Sequence, residues 1–178
     1  LGPKPKRISS TPWILLFSFT SKDIKYFLPI IYWMILSAAE IIRRLDQEDL
    51  PGRLVIRPYT KESQQPASYD LRAADDMNLV CGTCTLLPTL EWVELPMDLA
   101  GTLRCRSSFG RRGVLLGAGF VDPGFRGQLT LCLSNLGKEA ITVRKNDRVA
   151  QMILHEVRNP RETYGGRYQD SLGAVEAR

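Results

Sequence analysis

The run from Gly117 to Asn135 reads Gly-Ala-Gly-Phe-Val-Asp-Pro-Gly-Phe-Arg-Gly-Gln-Leu-Thr-Leu-Cys-Leu-Ser-Asn, and it constrains the chain more than any other stretch. A Pro-Gly pair makes a turn, and the alternation Leu129, Leu131, Leu133 behind it is the period of a strand with one buried face. The turn therefore holds a carboxylate, Asp122, and an aromatic, Phe125, at the mouth of a hairpin. Upstream, Arg106-Ser107-Ser108-Phe109-Gly110-Arg111-Arg112-Gly113 supplies two hydroxyls, three guanidinium groups and flexible glycines, a composition suited to phosphate oxygens. An acid beside such a cradle points to nucleotide chemistry.

The same rhythm runs through the body. Leu54-Val55-Ile56, Leu79 to Leu87 with a turn at Gly82, and Trp92-Val93-Glu94-Leu95 ahead of Pro96 read as strands. Ala100 to Cys105, Val114 to Leu116, Leu129 to Leu133, Ala140 to Val143 and Val149 to Val157 continue the series between Gly, Pro and Asn turns. Such spacing predicts an all-β sandwich or barrel. Before it, Ser37 followed by Ala38-Ala39-Glu40-Ile41-Ile42 reads as an N-cap and an acidic first turn of a short helix. A length of 178 residues suits one domain with a real core.

The formal charge of +5 invites a nucleic-acid reading until it is located. Residues 1–33 carry Lys4, Lys6, Arg7, Lys22 and Lys25 against Asp23, so the body has almost no net charge and no basic footprint for DNA or RNA. This segment also holds seven of the fifteen aromatics. The apolar run that begins in it, Phe27 to Leu36, is too short to span a membrane and has no small-residue cleavage site, so no membrane partner is expected. The expected organisation is an extension outside the fold over 1–33, a β domain over 34–160, and a tail acting as a lid over 161–178. Four cysteines without a secretion signal suggest a reducing cytoplasm. Cys81-Gly82-Thr83-Cys84 has the spacing of half a zinc site, but no second pair accompanies it and His155 is the single histidine, so a hairpin tip with two thiols is expected.

Five short motifs occur in order: Ser68-Tyr69-Asp70-Leu71-Arg72-Ala73, Arg106-Ser107-Ser108, Gly119 to Gly127, Asp147-Arg148-Val149-Ala150-Gln151, and a tail containing Gly and Tyr. On these the chain, from roughly Met34 to Arg178, resembles the trimeric dUTPase and dCTP deaminase superfamily. The resemblance implies a dUTPase-like distorted jelly-roll β-barrel with a short N-terminal helix, assembled as a homotrimer with shared sites. It implies Mg²⁺ on the triphosphate, with Asp70 orienting the metal's waters, a sensible role because magnesium keeps much of its hydration. Ser107 and Ser108 would bind phosphate oxygens, with Arg106 and Arg111 adding charge. Ala118 and the Gly119 to Gly127 backbone would contact substrate, and Phe125 would pack on the deoxyribose. Gln151 would reach the phosphates, Arg148 would help hold the subunit interface, and Tyr164, Arg167 and Tyr168 would belong to the lid.

Position 132 bears on which branch of the superfamily the chain joins. Superfamily deaminases place a Glu ten residues after the Asp that matches Asp122, to carry protons between water and ammonia; here stands Cys132. A thiol ordinarily titrates near about pH 8.5 and is a poor substitute for a carboxylate. Gly117-Ala118-Gly119 also resembles the hydrolase form, whereas Arg111 and the tail's Tyr168 with Gly173-Ala174-Val175 resemble deaminases. The expectation is a dUTP diphosphatase acting on a deoxyuridine nucleotide, with Asp122 activating water for attack on the α-phosphorus to yield dUMP and pyrophosphate. The alternatives are a dCTP deaminase and a non-catalytic nucleotide-binding sensor.

Overall fold

The computed structural model describes residues 35–46, 52–117 and 119–177. The proposed extension over 1–33 and the predicted substrate contact Ala118 lie outside the described residues. Helix α1 (Ala38–Leu45) starts where its cap predicts: the Ser37 hydroxyl accepts the Glu40 N–H at 3.3 Å. Ile41 is its fully buried apolar anchor, and Arg44 reaches Asp98 at 2.7 Å.

Among the described residues eleven strands follow. They are β1 (Val55–Arg57), β2 (Gln64–Gln65), β3 (Ser68–Arg72), β4 (Met77–Leu79), β5 (Cys84–Glu94) and β6 (Leu99–Cys105). After the single helical turn α2 (Ser107–Gly110) come β7 (Val114–Gly117), β8 (Phe120–Val121), β9 (Arg126–Asn135), β10 (Ile141–Val143) and β11 (Arg148–Glu156). One sheet has the order β1-β5-β9-β7, a second β2-β3-β11-β6-β8, and β10 pairs with β4. The all-β class holds. The strands remain in separate sheets and do not close into the expected barrel.

The predicted alternation in β9 is obeyed along the strand. Leu129, Leu131 and Leu133 enter a common core with Leu87 and Val93 of β5, Leu71 of β3, and Met152 and Leu154 of β11. The opposite face, Gln128, Thr130, Cys132 and Ser134, is half-buried.

Two predicted strand boundaries differ. Leu87 and Trp92 belong to one strand, because the interruption at Pro88, which has no N–H to donate, is absorbed by a register shift. There the Thr89 hydroxyl accepts the Leu129 N–H at 2.9 Å and donates to the Glu91 carbonyl. The turn at Gly82 is real, with φ of 75°, but it does not make a hairpin. Its flanking strands pair elsewhere, and the turn is bound to β9 instead through Gly82 N–H to the Asn135 carbonyl at 2.7 Å. Cys81 and Cys84 are exposed, free thiols on that turn. Among the described residues no helix is long and apolar enough to cross a membrane.

Candidate active site

The Asp122-Pro123-Gly124-Phe125 turn is closed by the Phe125 N–H on the Asp122 carbonyl at 3.2 Å. It is fastened to the end of β5 by Gly124 N–H to Leu95 O and Leu95 N–H to Phe125 O, at 3.0 and 2.9 Å. Gly124 takes φ of 79°, which a side chain would oppose. The result is a cavity of about 450 Å³ with Asp122 exposed on its wall and Phe125 buried beneath. Leu103 of β6 and the Gln128, Thr130 and Cys132 face of β9 line the rest, so strand alternation builds one wall.

The tail completes this cavity within the same chain. Tyr164, Tyr168, Ser171 and Val175 line it, and the Tyr164 ring tilts against Phe125 with centroids 5.7 Å apart. Arg167, expected beside them, is exposed and does not line the cavity. Sequence reasoning named Asp122, Phe125, Tyr164 and Tyr168 but missed Gln128 and Thr130. The signal was available, since residues 128, 130 and 132 alternate with the core leucines.

The other predicted site residues form a second group. Ser107 and Ser108 are exposed on α2, Arg111 is exposed at its C-terminal cap, and Gln151 is half-buried on β11 opposite Asp70 of β3. Arg106 lies with its Nε 3.1 Å from Asp70 Oδ2 and donates through Nη1 to the Arg148 carbonyl at 3.0 Å. None of Arg106, Ser107, Ser108, Arg111 or Gln151 lines the cavity that holds Asp122.

Asp70 does not suit the role expected for it. It is 0% exposed, and its Oδ2 faces Arg106 and, at 3.5 Å, Arg148. Burial raises its carboxyl above the usual range, opposed by the charges of Arg106 and Arg148 and by the Gln151 side chain. A magnesium-water shell beside this carboxylate would compete with two cations already there, so the residues present do not fit the ion. Among the described residues no cluster of three or more His, Cys, Asp or Glu side chains has the arrangement of a metal site.

Cys132 is a half-buried thiol on the cavity wall. Burial, and then the neighbouring Cys84, push its thiol up, so it is neutral near pH 7.

Residues 74–157 match the model of the dCTP deaminase-like family. A dCTP deaminase of Pyrococcus horikoshii is 36% identical over 139 residues, covering 68% of this chain and 88% of the relative. The chain belongs to the dCTP deaminase family. A second member, the dUMP-forming dCTP deaminase of Methanosphaera stadtmanae, is 33% identical over 175 residues, 77% of this chain and 87% of that protein. Solved structures agree on the fold. The 2′-deoxycytidine 5′-triphosphate deaminase of Agrobacterium tumefaciens superposes with a TM-score of 0.58 at 22% identity, covering 69% of this chain and 48% of that one. The EIAV dUTPase gives 0.53 at 20% identity, covering 65% and 98%.

Family membership corrects the functional expectation: the curated relatives are named dCTP deaminases, which overturns the dUTP diphosphatase reading. That reading gave weight to one strand position and a Gly-Ala-Gly run. Similarity over most of a domain reports the sum of many packing positions and outweighs two local ones. Arg111 and the Gly173-Ala174-Val175 tail pointed to the family correctly.

Proposed function

We propose that this protein deaminates dCTP, converting it with water to dUTP and ammonia. The observation that carries the reading is the cavity with Asp122 on its wall, in a chain whose curated relatives are dCTP deaminases. Among the described lining residues Asp122 supplies the one carboxylate, and it takes the role of proton carrier. It removes a proton from water as the oxygen adds to C4 of cytosine. The proton then passes to the exocyclic amine as the C4–N bond breaks and ammonia leaves, and the second water proton moves from the new C4 hydroxyl to N3, leaving the uracil carbonyl. Phe125 and Tyr164 supply the apolar wall against the deoxyribose and base. Hydrogen-bonding groups at Gln128 and Thr130 face the same space.

The triphosphate needs cationic partners, and the described lining of this cavity holds no Lys or Arg. Arg106 and Arg111 supply them, with Ser107, Ser108 and Gln151, and we assign all five to a neighbouring copy in a homotrimer. The separation of the two groups within one chain supports this assembly.

Cys132 favours a second reading, a site that binds the nucleotide without turnover, because a neutral thiol is a poor proton carrier beside the reacting carbon. Ammonia release from dCTP by the wild type, Asp122→Asn and Cys132→Glu decides between them. Deamination predicts ammonia from the wild type and a loss of about a hundredfold or more in Asp122→Asn. Tight dCTP binding without ammonia, with release gained in Cys132→Glu, would establish the second reading and reject the first.

A further inference from the structure

The hydrogen bonds that seat the tail gather on Arg126, the first residue of β9. Its guanidinium grips the Asp170 carboxylate through two nitrogens, Nε on Oδ1 and Nη2 on Oδ2, the latter at 2.8 Å. Its N–H donates to Gln169 Oε1 at 3.0 Å, and its carbonyl accepts the Asp170 N–H at 2.7 Å. Gln169 Nε2 in turn donates to the Gly124 carbonyl at 2.9 Å. Farther along, the Gln128 N–H donates to the Ser171 carbonyl at 2.8 Å, Gln128 Oε1 accepts the Gly173 N–H at 2.7 Å, and the Thr130 hydroxyl accepts the Val175 N–H at 3.0 Å. Close approach is possible because residue 127 is glycine: a Cβ there would lie 2.9 Å from the Ser171 nitrogen. Every one of these bonds joins the tail to the Asp122 turn or to the strand that continues from it in the same chain.

We infer that Arg126 is a positioning residue: with Asp170 it forms the ionic end of a strap that closes each chain's tail over that chain's own cavity. The two side chains are 50% and 49% exposed, so the pair contributes little to the stability of the β core. Its effect falls where the tail would otherwise lift, because Tyr168, two residues before Asp170, and Ser171, next to it, form part of the cavity wall. Being exposed, the pair is screened by salt, which makes closure sensitive to ionic strength. Opening the strap removes a wall without touching Asp122. It therefore weakens nucleotide retention more than the chemical step. This consequence rests on the reading of the cavity as a nucleotide site, whereas the strap itself does not.

The test compares Arg126→Glu, Asp170→Arg and the double variant, which restores the pair with its charges exchanged. Chymotryptic cleavage after Tyr164 and Tyr168 reports tail docking without any ligand, and calorimetric titration with dCTP reports retention. Each single variant is expected to be cleaved about fivefold faster and to bind dCTP about fivefold more weakly, with an unchanged Tm; the double variant recovers both. Wild-type cleavage rates in both single variants, or no recovery in the double variant, would overturn the strap. Faster cleavage that the double variant reverses, in a protein that binds no dCTP, upholds the strap and rejects the nucleotide reading instead.

Discussion

A site divided between subunits can be tested by mixing two inactive proteins. Asp122→Asn removes the proton carrier from the cavity, and Ser107→Ala with Arg111→Ala removes phosphate partners that lie outside it. Neither protein alone should release ammonia from dCTP above about a hundredth of the wild-type rate. In a mixed trimer a site works when its cavity comes from the chain with intact Asp122 and its cradle from the chain with intact Ser107 and Arg111. Every mixed trimer, two of one chain and one of the other, has one such junction among its three, so about a third of the sites, and about a third of the wild-type rate, should return. The assay is coexpression with two different tags, sequential capture of mixed trimers, and ammonia release by a coupled reaction, with the calorimetric number of dCTP sites measured in parallel. If captured mixed trimers stay as inactive as the parents, each cavity uses its own chain's cradle and the division is wrong. A fully active monomer in sedimentation would refute it too.

Asp70→Asn should leave the magnesium dependence of dCTP binding unchanged while weakening binding itself, since the carboxylate faces Arg106 and Arg148 rather than a metal; a raised magnesium requirement would restore the metal role. Because the folded pKa of Asp70 lies above its ordinary value, the folded chain binds more protons than the unfolded one between the two pKa values. Stability therefore falls as pH rises through that window, and Asp70→Asn should flatten this part of the Tm profile. Leu131→Ala, at a side chain 1% exposed in the core, should cost about 2–5 kcal/mol in denaturant unfolding with little change in slope.

Local chemistry made much of this protein legible in its sequence. Ser37 capped a helix, Asp122-Pro123-Gly124 made a turn, and the leucines at 129, 131 and 133 turned inward, because capping, turn preference and period-two alternation depend on neighbours a few residues away. The same alternation held the unread information that Gln128, Thr130 and Cys132 share a wall. Motif order was enough to reach the superfamily, and the motifs identified Phe125, Tyr164 and Tyr168 as companions of Asp122.

What tertiary structure alone decided are the relations between distant residues. Nothing near Asp70 in the chain announces that Arg106 and Arg148 will surround its carboxylate, since β3, β6 and β11 meet only in the folded sheet. The turn at Gly82 looked like a hairpin because turn chemistry is local, whereas pairing partners are chosen by the whole apolar pattern, and β4 found β10 while β5 found β9. Likewise the tail could be read as a lid, but its seat on Arg126, Gln128 and Thr130 joins residues about forty-five apart in sequence. Such contacts form only when burial of the shared core repays the entropy of closing long loops, a balance that belongs to the fold and to no single segment.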